Sequence, residues 1–261
     1  MIFAAFLLTA IGAADLVRRF ASRPWVGYIV VVVALLVLGS VSDALLPMLI
    51  GILGGALWVW CMPIERSAPL GFWPAVIVGA VSVGAVVWAG ARTDAGLIGQ
   101  VWAPRAPIGD VPFDLALLAV GLALFLLESA NLVVRSALDG EHTWRPAELL
   151  RVGDAAHTAV VRPGAEQEGG PSNAVAPAGR SGFQGGRLIG PLERLLVLIL
   201  TLAAAYPVLA AMLAAKGIVR FPEISRDGET GARAEYFLVG SLVSWVIGLG
   251  AAFLLQWAAH S

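Results

Sequence analysis

Residues 187–194 read RLIGPLER, residues 195–215 read LLVLILTLAAAYPVLAAMLAA, and Lys216, the only lysine of the chain, follows. A helix needs about twenty apolar residues to cross the roughly 30 Å hydrocarbon layer, so the stretch reads as one membrane-spanning helix punctuated by charge. Pro191 suits a first helical turn, where its missing N–H is not needed. Glu193 then lies near the positive end of the helix dipole. Arg194 can extend its stem and place its guanidinium at the headgroups, and Lys216 marks the far interface. The competing reading is that Glu193 and Arg194 form a functional ion pair with another span. Tyr206-Pro207 falls in mid-segment, where a proline predicts a kink.

Working outward, the 261 residues are 59% hydrophobic and only 13% charged, with a mean hydropathy of +0.84. Soluble domains are about one quarter charged, so lipid is the expected solvent. Seven segments read as spans: 2–17, 25–41, 44–61, 70–90, 113–134, 195–215 and 236–257. Ser42-Asp43 divides the second from the third as a tight helical hairpin. The predicted fold is thus an all-α polytopic membrane protein of about seven transmembrane helices, five plus two. Residues 1–135 form the five-span unit and 189–261 a two-span C-terminal hairpin. Between them, 136–188 is rich in Gly, Pro, Ala and Ser. It cannot bury enough apolar surface to offset ordering, and it reads as a flexible cytoplasmic linker.

At the N-terminus Arg18 and Arg19 follow the apolar run, the reverse of a signal peptide. This predicts a retained first span with its N-terminus outside. That orientation puts most arginines, including Arg18, Arg19, Arg23, Arg135, Arg151 and Arg187, on the cytoplasmic side, and seven spans then put the C-terminus there too. The loop 216–233, with four basic residues on the supposed outer face, is the contrary sign. Trp25, Trp58, Trp60, Trp73 and Trp257 fall near predicted inner span ends, and Trp88 near an outer one. The preference for arginine over lysine, with abundant Ala, Gly and Val, fits a GC-rich bacterial genome and hence an inner membrane.

Some intramembrane polar residues are candidate sites. Glu128 lies seven residues, about 10 Å, deeper than Arg135, with Asn131 on the same helical face. A carboxylate in hydrocarbon must be paired, hydrated or protonated. Asp15 reads as a weaker version, drawn to the interface by Arg18 and Arg19. Interfacial charge candidates are Glu193, Arg194, Lys216, Arg220 and Glu235. Gly240, Ser244, Gly248 and Ala252 recur every four residues, and Gly51 and Gly55 repeat that spacing in the third span. Small residues at this interval let helices approach closely.

The stretches GRLIGPLERLLVLIL, AAKGIVRF and AEYFLVGSLVS resemble the C-terminal membrane hairpin of an uncharacterised family of small bacterial integral membrane proteins. The resemblance covers about 187–245 and rests on Gly190, Glu193, Arg194, Lys216, Arg220, Glu235 and Ser244. It implies an inner-membrane location and a shared role for those charges, but no activity.

Three function classes follow. An accessory or scaffolding subunit is expected first, acting through helix packing, with the bilayer and a membrane protein or a second copy as partners. A small-solute or ion transporter using Glu128 and Asn131 is the alternative. An intramembrane enzyme is disfavoured because HExxH, GxSxG and paired intramembrane aspartates are absent. Cys61, His142, His157 and His260 are too scattered for a metal site, and no cofactor is expected. A net charge of −1 gives no field for nucleic acid.

Overall fold

A computed structural model describes residues 1–63, 70–90, 92, 95–102, 105–106, 109–140, 186–225 and 232–261. It is helical apart from two antiparallel two-residue strands, β1 (Arg105–Ala106) and β2 (Gly109–Asp110). The helices are α1 (Ile2–Phe20), α2 (Pro24–Val41), α3 (Leu45–Cys61), α4 (Trp73–Ala89), the short α5 (Gly96–Val101), α6 (Phe113–Leu124), α7 (Ala130–Gly140), α8 (Gly186–Leu202), α9 (Tyr206–Ser225) and α10 (Ala232–His260). A π-helical turn, Phe125–Ser129, joins α6 to α7, so 113–140 is one continuous rod. Three helical stretches, Pro24–Val41, Phe113–Asp139 and Phe237–His260, are long and apolar enough to cross a membrane. They fit a membrane protein.

The core is built around α1. Ala4, Ala5, Phe6 and Ile11 are fully buried, because small residues let two neighbouring backbones close on this helix. A Cβ at Gly12 would come 2.6 Å from the Leu124 carbonyl carbon. One at Gly121 would meet the Thr9 hydroxyl at 2.8 Å and the Ala5 carbonyl at 3.0 Å. Gly51 packs on Phe6 and Gly55 on Ala10, so the third-span glycines face α1. The first segment, which the sequence reads as short and charge-bearing, is therefore the spine of the bundle.

These contacts fix the directions. The Met1 amino group donates to the carbonyls of Ala85 and Gly90 at 3.2 and 3.1 Å. At the other end of α1, Arg18 donates to the carbonyls of Val59 and Met62 at 3.3 and 2.9 Å. Helices α1, α3 and α6–α7 run one way, and α2 and α4 return.

The sixth predicted span is corrected. Residues 195–215 are not one helix: α8 ends at Leu202 and the chain reverses through Ala203–Ala205, with Ala204 at φ +53°. Left-handed φ is uncommon for a residue with a Cβ, and here it makes the turn. Pro207 is the second residue of α9, a position that tolerates its missing N–H, so it starts a helix rather than kinking one. Helix α9 folds back along α8 and brings the Lys216 ammonium 2.7 Å from both Glu193 carboxylate oxygens. Lys216 does not mark a far interface.

The reversal also corrects the ends. Gly248 packs on Val197, and Ser244 meets Arg194, so α10 runs parallel to α8. His260 finishes at the end of the bundle that holds Met1, whereas seven passes would separate them. The last turns of α9, with Arg220, lie at the end that holds Arg18 and Arg23. Trp25, Trp60 and Trp73 are exposed at that end, with Trp88 and Trp257 exposed at the other. Trp257 thus moves to the end opposite the predicted one, and Trp58 is buried. The 136–188 linker lies almost wholly outside the described residues. Its edges, up to Gly140 and from Gly186, are helical.

Candidate functional site: a buried arginine at a helical π turn

The site is assembled where α8 and α10 meet the π turn. Arg194 lies eight residues, about 12 Å, inside α8 and is only 3% exposed. Its Nε donates to the Ser244 hydroxyl of α10 at 3.0 Å. One terminal nitrogen donates to the Leu126 carbonyl at 3.0 Å, the other to Asn131 Oδ1 at 2.6 Å. Leu126 lies within the π turn, where the ordinary i→i−4 ladder is interrupted. The planar guanidinium offers donors in a rigid fork, so three acceptors on two other elements fix its plane. Gly190, one turn before Arg194, makes the room: a Cβ there would stand 3.3 Å from the guanidinium and 3.6 Å from Asn131 Oδ1.

From Arg194 a chain of polar groups continues to α1. Asn131 accepts from Arg194 through its oxygen and donates through Nδ2 to Glu128 Oε2 at 3.3 Å and to the Leu127 carbonyl at 3.2 Å. Glu128 lies 3.5 Å from Arg19 Nε. The predicted pair Glu128 and Asn131 is thus one part of a larger arrangement, Arg19–Glu128–Asn131–Arg194–Ser244. Arg135 leaves it and donates to the Pro63 carbonyl at 3.1 Å.

Beside this chain sits a second cluster. The Glu193 carboxylate, nearly buried, accepts from Lys216 and from the Trp245 indole at 2.8 Å. The Lys216 ammonium also lies 5.8 and 5.7 Å from the ring centres of Phe237 and Trp245, within cation–π range. Glu193 and Arg194 therefore act toward different partners. The expectation that they mark helix entry, with Arg194 at the headgroups, is overturned: a burial-competent fork of acceptors holds the guanidinium inside.

Asp15 is likewise fully buried rather than drawn outward. It pairs with Arg18 and accepts from the Trp58 indole at 2.9 Å. Arg18 comes to the acid and satisfies the last carbonyls of α3 as well. Ser244 and Gly248 serve the Arg194 contact, Ala252 is buried, and Gly240 faces Val134 and Leu138. Glu235 is exposed, and the Arg220 side chain lies outside the described residues.

Several participants escape the sequence reading. Gly12 had a faint signal in the Ala5-Thr9-Gly12 spacing of small residues, and Gly121 had none. Trp245 and the Leu126 carbonyl had none, because the π turn is not written in any residue type. Among the described residues no group of three or more His, Cys, Asp or Glu side chains could hold a metal ion. No family model, curated protein or solved structure matches this chain.

Proposed function

We propose that this chain is an accessory or scaffolding subunit of a bacterial inner membrane, holding helices in a fixed arrangement for a partner in the same bilayer. One observation carries the reading: each nitrogen of the interior arginine donates within the chain, to acceptors from α10 and the π-turn rod, while the apolar faces of α2 and α4 look outward. A buried cation held by fixed acceptors contributes specificity of arrangement more than net stability. With the arginine-bearing end inward, as the excess of inner positive charge requires, both chain ends lie outside and the basic residues of 216–225 move toward the inner side. The alternative, a small-solute or ion transporter, is favoured by the run of polar groups from Arg19 to Ser244 within the bundle.

The two are separated by purifying the tagged full chain from native membranes and by reconstituting a Glu128→Gln variant. A stable stoichiometric partner, retained by that variant, is expected. Recovery as a lone monomer or homodimer, with solute uptake in proteoliposomes abolished by Glu128→Gln, would replace the scaffold by the transporter.

A further inference from the structure

Helices α1, α2 and α3 touch closely near both ends of α2, at Gly27 on Val17 and at Gly39 on Met48, but part between them. The gap is a groove of about 290 Å³, well above the roughly 150 Å³ that accommodates a benzene ring. Its walls include Ala10, Ala14, Tyr28, Leu35, Gly55 and Val59, apolar or small apart from the phenol. The groove runs from mid-bundle toward the arginine-bearing end.

That lower end carries three arginines, of which Arg18 pairs with Asp15 and Arg19 lies 3.5 Å from Glu128, so the exposed Arg23 supplies the net positive charge. Arg18 follows Ala10 and Ala14 at four-residue intervals, hence on the same helical face, and donates to the carbonyl of the wall residue Val59. Its side chain is 10% exposed, and its Nε is buried without a hydrogen-bond partner among the described residues. A buried donor left unsatisfied is costly, so an acceptor is favoured there. Arg19 is partly exposed and Arg23, at the start of α2, is exposed. Trp25 and Trp60 stand exposed on the neighbouring helices, at the level where indoles meet headgroups.

We infer that this groove binds one anionic phospholipid, an acyl chain lying along Ala10, Ala14 and Gly55 and the phosphate meeting the exposed Arg23 at the end that also holds Arg18 and Arg19. Small wall residues admit the chain, and the charge of the lower end selects the headgroup. Basic clusters between helices at a membrane surface recognise anionic lipids by this combination. The inference rests on the chain being embedded in a bilayer and is independent of whether it scaffolds a partner or moves a solute.

The test is native mass spectrometry of the full chain purified in mild detergent and supplied with phosphatidylglycerol or phosphatidylcholine in equal amounts. One retained phosphatidylglycerol per chain is expected, with phosphatidylcholine retained at least about fivefold less. Ala56 is exposed and lines the groove, so Ala56→Trp should fill it and abolish retention. Ala56→Leu gives a milder block should the tryptophan variant not fold, and thermal unfolding without lipid identifies the folded variants. Arg23→Gln should reduce the headgroup preference about fivefold while leaving one lipid bound. Equal retention of both lipids, or undiminished retention by a folded Ala56 variant, would overturn the inference. Capture of a partner protein reports on the scaffold reading and is unaffected by either outcome.

Discussion

Arg194→Leu is expected to lower stability by about 3–5 kcal/mol, the range for breaking a buried charge network by removing one member. The leucine matches the apolar part of the arginine stem but leaves the Leu126 carbonyl and Asn131 Oδ1 without the donors they now have. Each stranded buried acceptor costs about 1–3 kcal/mol. Glu128 keeps Asn131 Nδ2 at 3.3 Å and Arg19 at 3.5 Å, but the cation at the far end of that chain is gone. Thermal unfolding in detergent should shift downward by roughly 10 °C. Arg194→Lys keeps the charge but not the fork, and should recover only part of the loss. A leucine variant that melts within about 2 °C of the parent would show that the guanidinium is not the tie between α8, α10 and the π turn.

The second large effect belongs to a residue without chemistry. Gly12→Ala should cost about 3 kcal/mol or more, at the upper end of overpacking penalties, because its Cβ would meet Leu124 and Phe125 backbone atoms at 2.6 and 2.7 Å. No side-chain rotation relieves a clash with backbone, so α1 and α6 must separate along a contact that buries both. The disturbance also reaches the π turn, which begins at Phe125, and with it the Leu126 acceptor. Gly79→Ala is the matched control: a Cβ there meets nothing within 4 Å, and alanine has the higher helix propensity. Expression yield and melting temperature of the two variants should diverge. Equal behaviour would contradict the close crossing of α1 and α6.

The helical rods could be read from the sequence because run length and apolarity decide them, and α2, α3 and α4 begin and end within a few residues of the expected positions. The reversal at Ala203–Ala205 could not be read in the same way. The sequence AAAYP is as apolar as its surroundings, so no polar residue announces a turn, and Pro207 reads equally as a kink or a helix start. A subtler sign was present: Glu193 and Lys216 stand eleven and twelve residues on either side of Ala204, the symmetry of a hairpin that pairs opposite charges. Reading Lys216 as an interface marker used its charge but ignored that spacing.

The site was legible in its residues and illegible in its connections. Glu128, Asn131, Glu193, Arg194, Lys216 and Ser244 stand out because polar groups in apolar runs are costly unless partnered. Their pairing depends on which helices adjoin, and that was set by glycines, at 12, 121 and 190, whose role is to be small. The π turn presents the Leu126 carbonyl to Arg194 of α8, a contact with no trace in the local sequence.

The fold-back of α9 onto α8 carries the whole arrangement, and cysteine accessibility tests it most directly. In a Cys61→Ala background, single cysteines at positions 204 and 222 are labelled in intact and in opened cells with a membrane-impermeant thiol reagent. The account predicts that position 204 reacts from the side that holds the ends of the chain and position 222 from the opposite side. Protection of position 204 within the bilayer, with position 222 reacting from the side assigned to Met1 and His260, would restore a single unbroken span and contradict the Glu193–Lys216 hairpin.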